Sequence, residues 1–101
     1  MIMIRVPLDK ENIARFCGGR GIRKMFLFGS VLRDDFGPAS DVDVLLEFEE
    51  NSGITFENRV EIMDKLSALF GRQVDLVDKR SLRNPFRRQA ILSTAELIYA
   101  A

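Results

Sequence analysis

The sequence predicts an α/β or α+β fold in which helices pack on one face of a small mixed β-sheet. Short apolar segments of strand length alternate with longer segments of helical periodicity, in the order α-β-turn-β-α-β-α. Glycine, proline or acidic turns separate these segments, and no repeat or interdomain linker interrupts them. With 101 residues, the chain is expected to form a single domain over residues 1–101.

The first half of the chain is predicted to contain one helix and two strands. Asp9 can cap a helix that ends at about Gly18. The apolar run 24–28 predicts a buried strand that breaks at a Gly-Ser pair, where Ser30 is expected to cap a short helical turn. After a loop containing glycine and proline, residues 41–48 are expected to form the second strand.

The second half is predicted to contain two helices and a third strand. Residues 55–70 form the longest periodic segment, with one apolar face made of Phe56, Val60, Met63, Leu66, Leu69 and Phe70. Residues 72–77 predict the third strand, and Pro85 is expected to open a last helix. Residues 96–100 leave two alternatives open, a frayed helix or a short extra strand.

The composition excludes several classes of function. Fifteen acidic residues balance fifteen basic ones, so no strong overall field attracts nucleic acid. Histidine is absent and Cys17 is the only cysteine, which excludes a Ser-His-Asp triad, an internal disulfide and the usual zinc sites. No apolar run reaches the roughly 18 residues of a membrane span, and residues 1–5 are too short for a signal peptide. A cytoplasmic location is expected.

Three acidic residues lie in apolar segments that resemble strands. Asp41 and Asp43 are two residues apart and therefore share one face of the second predicted strand. Asp75 lies between two apolar residues in the third. If these strands are neighbours in register, the carboxylates converge, and their repulsion raises each other's pKa. Because Mg²⁺ prefers oxygen ligands and offsets this repulsion, the trio predicts a site for one or two Mg²⁺ ions.

The Gly29-Ser30 pair is a candidate phosphate-binding turn. Glycine lets the backbone approach a phosphate closely, and the first amides of the following turn point outward. The Ser30 hydroxyl adds a donor, and Arg33 can reach a phosphate or a neighbouring carboxylate.

Each feature alone also has a purely structural interpretation. Asp41 and Asp43 can be a solvated strand end, with Asp41 capping a turn, and Asp75 can be a surface residue of an edge strand. One strand breaks at Gly-Ser, the next begins Asp-x-Asp, and a third carries an Asp flanked by apolar residues. Together these features favour a site for metal and phosphate over the structural interpretation.

The segment Gly29-Ser30-x10-Asp41-x-Asp43 resembles the signature of the DNA polymerase beta-like nucleotidyltransferase superfamily. Residues 27–33 and 40–46 most resemble minimal nucleotidyltransferase (MNT) domains, although Asp34 stands where that group often has glycine. The resemblance implies the nucleotidyltransferase fold. It also implies that Asp41, Asp43 and Asp75 hold Mg²⁺ and carry out catalysis, while Gly29 and Ser30 bind the triphosphate of ATP.

The resemblance further implies transfer of AMP from ATP to a protein, such as a tyrosine of a HEPN-type RNase toxin, which makes the chain an antitoxin. A first alternative is an antitoxin that neutralises its partner by binding alone. A second is nucleotidyl transfer to a small molecule or an RNA end, against which the zero net charge and the lack of an acceptor domain argue.

Other residues leave several interpretations open. The cluster Arg80, Arg83, Arg87 and Arg88 fits contact with triphosphate, an acidic partner surface or RNA, or simply a solvated helix face. The acids of residues 47–50 fit a soluble strand edge that discourages pairing. Tyr99 is a conceivable self-modification site but fits better as a packed ring. Cys17 is expected to be a small buried apolar residue.

Overall fold

The structure is a computed structural model that describes residues 4–101. Met1, Ile2 and Met3, which begin the segment judged too short for a signal peptide, lie outside the described residues. The helices and strands follow in the order α1 (Lys10–Cys17), β1 (Ile22–Phe28), β2 (Val42–Phe48), α2 (Phe56–Phe70), β3 (Val74–Asp78), α3 (Pro85–Thr94) and β4 (Glu96–Ala100). Short 3-10 turns span Gly29–Leu32 and Lys79–Ser81.

Four strands form one mixed sheet in the order β3-β2-β1-β4. β1 is antiparallel to β2 and β4, whereas β2 and β3 are parallel. The mixed sheet that the sequence predicts is confirmed, and the ambiguous segment 96–100 is a strand. Since β2 is an inner strand, the prediction that Glu47 marks a soluble strand edge is wrong. Its carboxylate instead accepts a 2.7 Å hydrogen bond from Lys79 Nζ.

Helices α1 and α2 pack on one face of the sheet. The β2 residues on the face opposite Asp43, namely Val42, Val44 and Leu46, are fully buried there. Ile13 and Cys17 of α1 belong to the same core. Asp9 caps α1 as predicted, by accepting a 3.1 Å hydrogen bond from the backbone amide of Asn12.

Helix α3 packs on the opposite face, where the sequence prediction placed no helix. Its one buried residue, Ile91, forms a second small core with Leu45, Val77 and Leu82. Leu45 lies within the unbroken apolar run of β2 and is fully buried on this face. On this face Leu45 stands between Asp43 and Glu47, so the alternation of apolar and charged residues along β2 indicated only one covered face.

The predicted apolar face of α2 is wrong in part. Leu66 and Phe70 are buried together with Ile62, but Phe56 and Val60 are exposed. At 100° per residue these two lie about a quarter turn from the buried stripe, so the helix carries a second, outer apolar stripe. Thr55 caps this helix and Gly71 ends it in the left-handed conformation.

Among residues 4–101, no helix is long and apolar enough to cross a membrane.

Candidate active site

Two of the three predicted acids lie side by side at one end of the sheet. In the pairing register, Asp43 of β2 is opposite Asp75 of β3 on one side and Phe28, the last residue of β1, on the other. Directly paired residues of neighbouring strands share a face, so the two carboxylates project from the same face. It is the face that α3 covers farther along, through Leu45. Asp41 lies just before β2 and is exposed.

Gly29 is in direct contact with Asp43. The backbone at Gly29 has φ +74°, a conformation that residues with a Cβ adopt at a cost. A Cβ built at this position would overlap Oδ2 of Asp43 and lie 3.3 Å from its Cγ. The glycine is therefore needed both for the turn and for the close approach of the carboxylate. The predicted meeting of the Gly-Ser turn with an Asp of the second strand is confirmed by this contact.

Asp43 lies among other negatively charged carboxylates. Its pKa lies above the ordinary value for aspartate, chiefly because of burial and then because of repulsion from Asp75 and Asp41. Arg33 acts in the opposite direction. All three predicted acids therefore act on one point, and a cation placed there would be stabilised by them.

Ser30 does not cap the turn, so that detail of the prediction is wrong. The 3-10 turn begins at Gly29 and its capping residue is Phe28, which makes no side-chain cap. Ser30 is the second residue of the turn and is half-buried. The break comes one residue earlier because Gly29 itself supplies the positive φ that turns the chain. Arg33 follows the turn, is exposed and pairs with Asp35 at 3.2 Å.

Arg72 positions the loop that leads into Asp41, a role that the sequence analysis missed. One guanidinium nitrogen donates to the carbonyl of Gly37 and, at 2.9 Å, to that of Ser40. The guanidinium also lies 4.3 Å from the centre of the Phe36 ring. These contacts join residues more than 30 positions apart, so no local pattern could have revealed them.

The chemistry of the three acids fits a hard divalent cation, although they do not form a closed ligand set. Within residues 4–101, no three Asp, Glu or Cys side chains are grouped closely enough to hold a metal ion by themselves. The oxygen donors and the raised pKa of Asp43 are nevertheless what Mg²⁺ would relieve, with water and phosphate completing its coordination.

A groove of about 660 Å³ lies beside the Gly29 turn. One wall consists of Phe28, Gly29, Leu32 and Arg33, and the other of the last two turns of α3 and the start of β4. The groove is of a size that takes a small-molecule ligand.

The mixed sheet, with paired carboxylates against a glycine turn, is the arrangement that the resemblance to nucleotidyltransferases implies. The sequence profile of the polymerase beta nucleotidyltransferase family matches residues 11–101. The chain therefore belongs to this family, and the resemblance found in the sequence is confirmed.

A curated relative is the protein adenylyltransferase MntA of Thermococcus cleftensis, 36% identical over 90 residues, which cover 89% of this chain and 82% of the relative. A solved minimal nucleotidyltransferase is similar to this chain with TM-score 0.70 and 34% identity, covering 85% of both chains.

Two more distant structures share the fold. One is a toxin–antitoxin crystal structure with AMP-PNP, with TM-score 0.72 and 22% identity over 93% of this chain and 75% of that one. The other is the tri-AMPylated HEPN toxin of Shewanella oneidensis in complex with MNT antitoxin, with TM-score 0.64 and 21% identity over 91% of this chain and 70% of that one.

Proposed function

We propose that this chain is a Mg²⁺-dependent protein adenylyltransferase that moves AMP from ATP to a tyrosine of a HEPN-type toxin and so acts as its antitoxin. The observation that carries this proposal is the contact of Asp43 with Gly29, with Asp75 in register beside it. The family match and a relative named as a protein adenylyltransferase support the same activity. The complexes with AMP-PNP and with an AMPylated HEPN toxin support the nucleotide and the partner.

In this proposal, the turn at Gly29 and Ser30 binds the triphosphate, and Asp41, Asp43 and Asp75 hold Mg²⁺. Bound Mg²⁺ supplies charge neutralisation of the phosphates and of the departing pyrophosphate. The phenolic oxygen of the acceptor bonds to the α-phosphorus as the bond to the β-phosphate oxygen breaks. The phenol proton passes to a carboxylate of the trio, and AMP remains on the tyrosine.

The openness of the site indicates that the acceptor helps to complete it. Asp41, Asp75 and Arg33 are exposed, and Asp43 is half-buried. We propose that residues 1–101 act as one minimal nucleotidyltransferase domain and that the partner brings the acceptor surface. A cytoplasmic location remains a prediction of the sequence.

The test is a transfer assay with purified chain, ATP, MgCl₂ and a HEPN-type toxin, read by intact mass. The proposal predicts one or more AMP additions on a toxin tyrosine, absent in Asp41→Asn and Asp43→Asn variants. The matched control Asp64→Asn changes an exposed acid on α2 and should transfer normally. Neutralisation of the toxin that persists unchanged in both site variants would instead establish an antitoxin that acts by binding alone.

A further inference from the structure

Helix α3 and the turn before it carry a concentrated positive charge. Residues 79–95 contain five of the fifteen cationic side chains and none of the anionic ones. The remainder of the chain therefore has ten cations against fifteen anions, so the neutral total hides a marked asymmetry. Such local asymmetry, rather than net charge, decides which surface attracts a partner.

The arginines of this segment are of two kinds. Arg80 is bound by the buried carboxylate of Asp78 at 2.8 Å and so serves the fold. In contrast, Arg83, Arg87 and Arg88 are exposed, and none of them has an ion-pair partner within residues 4–101. Their side chains are available to an outside partner.

An exposed aromatic ring accompanies these arginines. Phe86, in the first turn of α3, is 85% exposed and lies between Arg83 and Arg87 in the sequence. Of the ten residues of α3, only Ile91 is buried. Aromatic and Arg side chains together are the residue types that most often carry binding energy at protein interfaces.

The location of this surface relates it to the carboxylates. Through Ile91, α3 packs on Leu45 and Val77, which lie two residues beyond Asp43 and Asp75 on the same face of the sheet. The second half of α3 lines the groove beside Gly29. A protein docked on α3 therefore lies on the side of the molecule from which the carboxylates project.

We infer that Arg83, Phe86, Arg87 and Arg88 form a docking surface for an acidic segment of the protein that presents the acceptor tyrosine. This inference rests on the proposed function. An acidic protein fits better than RNA because Arg88 shares a groove of about 550 Å³ with Glu49 and Glu50, which have no ion-pair partner within residues 4–101. Glu47 in the same groove is already paired with Arg23 and Lys79. The carboxylates of Glu49 and Glu50 would repel a continuous phosphate backbone, whereas a limited acidic patch can avoid them.

The experiment compares three proteins at low salt: the wild-type chain, Arg83→Glu/Arg87→Glu/Arg88→Glu, and Lys10→Glu/Arg15→Glu/Lys65→Glu. The third carries the same charge change on exposed residues of α1 and α2. Fluorescence anisotropy measures binding of a random glutamate–tyrosine copolymer and of poly(U), and calorimetry measures binding of Mg–ATP.

If this surface docks an acidic segment, the triple variant of Arg83, Arg87 and Arg88 (the α3 variant) should bind the glutamate–tyrosine copolymer at least about tenfold more weakly than wild type. Three exposed ion pairs together contribute about that factor. The control variant should lose much less, and wild type should prefer the copolymer to poly(U). Equal losses in the two variants, or a preference for poly(U), overturns the inference.

Binding of Mg–ATP separates the two proposals. It should be the same in the α3 variant and in wild type; a loss in the α3 variant alone means that these arginines belong to the nucleotide site and overturns the docking surface. A wild-type chain that binds the copolymer but not Mg–ATP overturns the proposed function and leaves the basic surface intact.

Discussion

Substituting Gly29 by alanine tests the contact on which the site depends. The positive φ at this residue costs an L-amino acid about 1–2 kcal/mol. In addition, the new Cβ overlaps the carboxylate of Asp43, and overpacking of this kind costs about 1–3 kcal/mol. Gly29→Ala is therefore expected to lower the free energy of unfolding by about 2–5 kcal/mol, or to displace the side chain of Asp43.

Gly53→Ala is the matched control, because Gly53 has a similar φ of +67° but a Cβ at this residue would meet no other atom within 4 Å. It should lose only the backbone cost, about 1–2 kcal/mol. Urea unfolding of the metal-free proteins measures both losses, and calorimetry measures Mg–ATP binding. Gly29→Ala should also bind Mg–ATP more weakly, whereas Gly53→Ala should not.

A double-mutant cycle with Asp43→Ala isolates the contact itself. Removing the carboxylate should abolish the extra cost of alanine at residue 29 and leave the backbone cost alone. The reasoning is refuted if Gly29→Ala and Gly53→Ala lose equal stability and bind Mg–ATP equally well, since residues 29 and 43 would then not touch.

Three further predictions concern charge and burial. In EDTA at neutral pH, Asp43→Asn should melt at a higher temperature than wild type, because the raised pKa of Asp43 makes its ionised form unfavourable in the folded protein. The difference in melting temperature should vanish at a pH below the ordinary pKa of aspartate. A lower melting temperature of the variant at neutral pH would contradict this reasoning. Burial opposes ionisation of Asp78, but hydrogen bonds from Arg80 outweigh this effect and lower the pKa of Asp78. Asp78→Asn should therefore lower the free energy of unfolding by about 1.5–3 kcal/mol at pH 7, and by progressively less as the pH falls through that lowered pKa. A loss of stability that does not change with pH would contradict the pairing. Burial raises the pKa of the Cys17 thiol to about 12, so iodoacetamide should modify it only in denaturant, and rapid native labelling would show that α1 is not packed as described.

Much of the fold follows from local patterns in the sequence. Asp9 caps α1, the periodic segment 55–70 contains α2, and alternation along β2 identifies its inward-facing residues. The position of α3 did not follow, because Leu45 is the one apolar residue of β2 on a face that otherwise carries Asp43 and Glu47. Whether residues 96–100 form a strand depends on their pairing with β1, which is far away in the sequence.

The candidate site, like the fold, contains features that the sequence predicted and features that it did not. The period of the strands predicted that Asp43 and Asp75 would converge if the second and third strands were neighbours in register, and the pairing of β2 with β3 meets that condition. Gly29 follows the end of β1, whose last residue pairs with Asp43. Arg72 could not be predicted, since its role depends on carbonyl groups of a distant loop. Two residues of the α2 stripe were misplaced because apolar spacing alone does not distinguish a core face from an outer one.

The most direct measurement of the central claim is calorimetric titration of ATP into the metal-free chain, with and without MgCl₂. If Asp41, Asp43, Asp75 and the Gly29 turn form one site, ATP should bind with Mg²⁺ present, and the Asp43→Asn variant should lose that binding while remaining folded. Equal ATP affinity with and without Mg²⁺, unchanged in Asp43→Asn, would contradict the account.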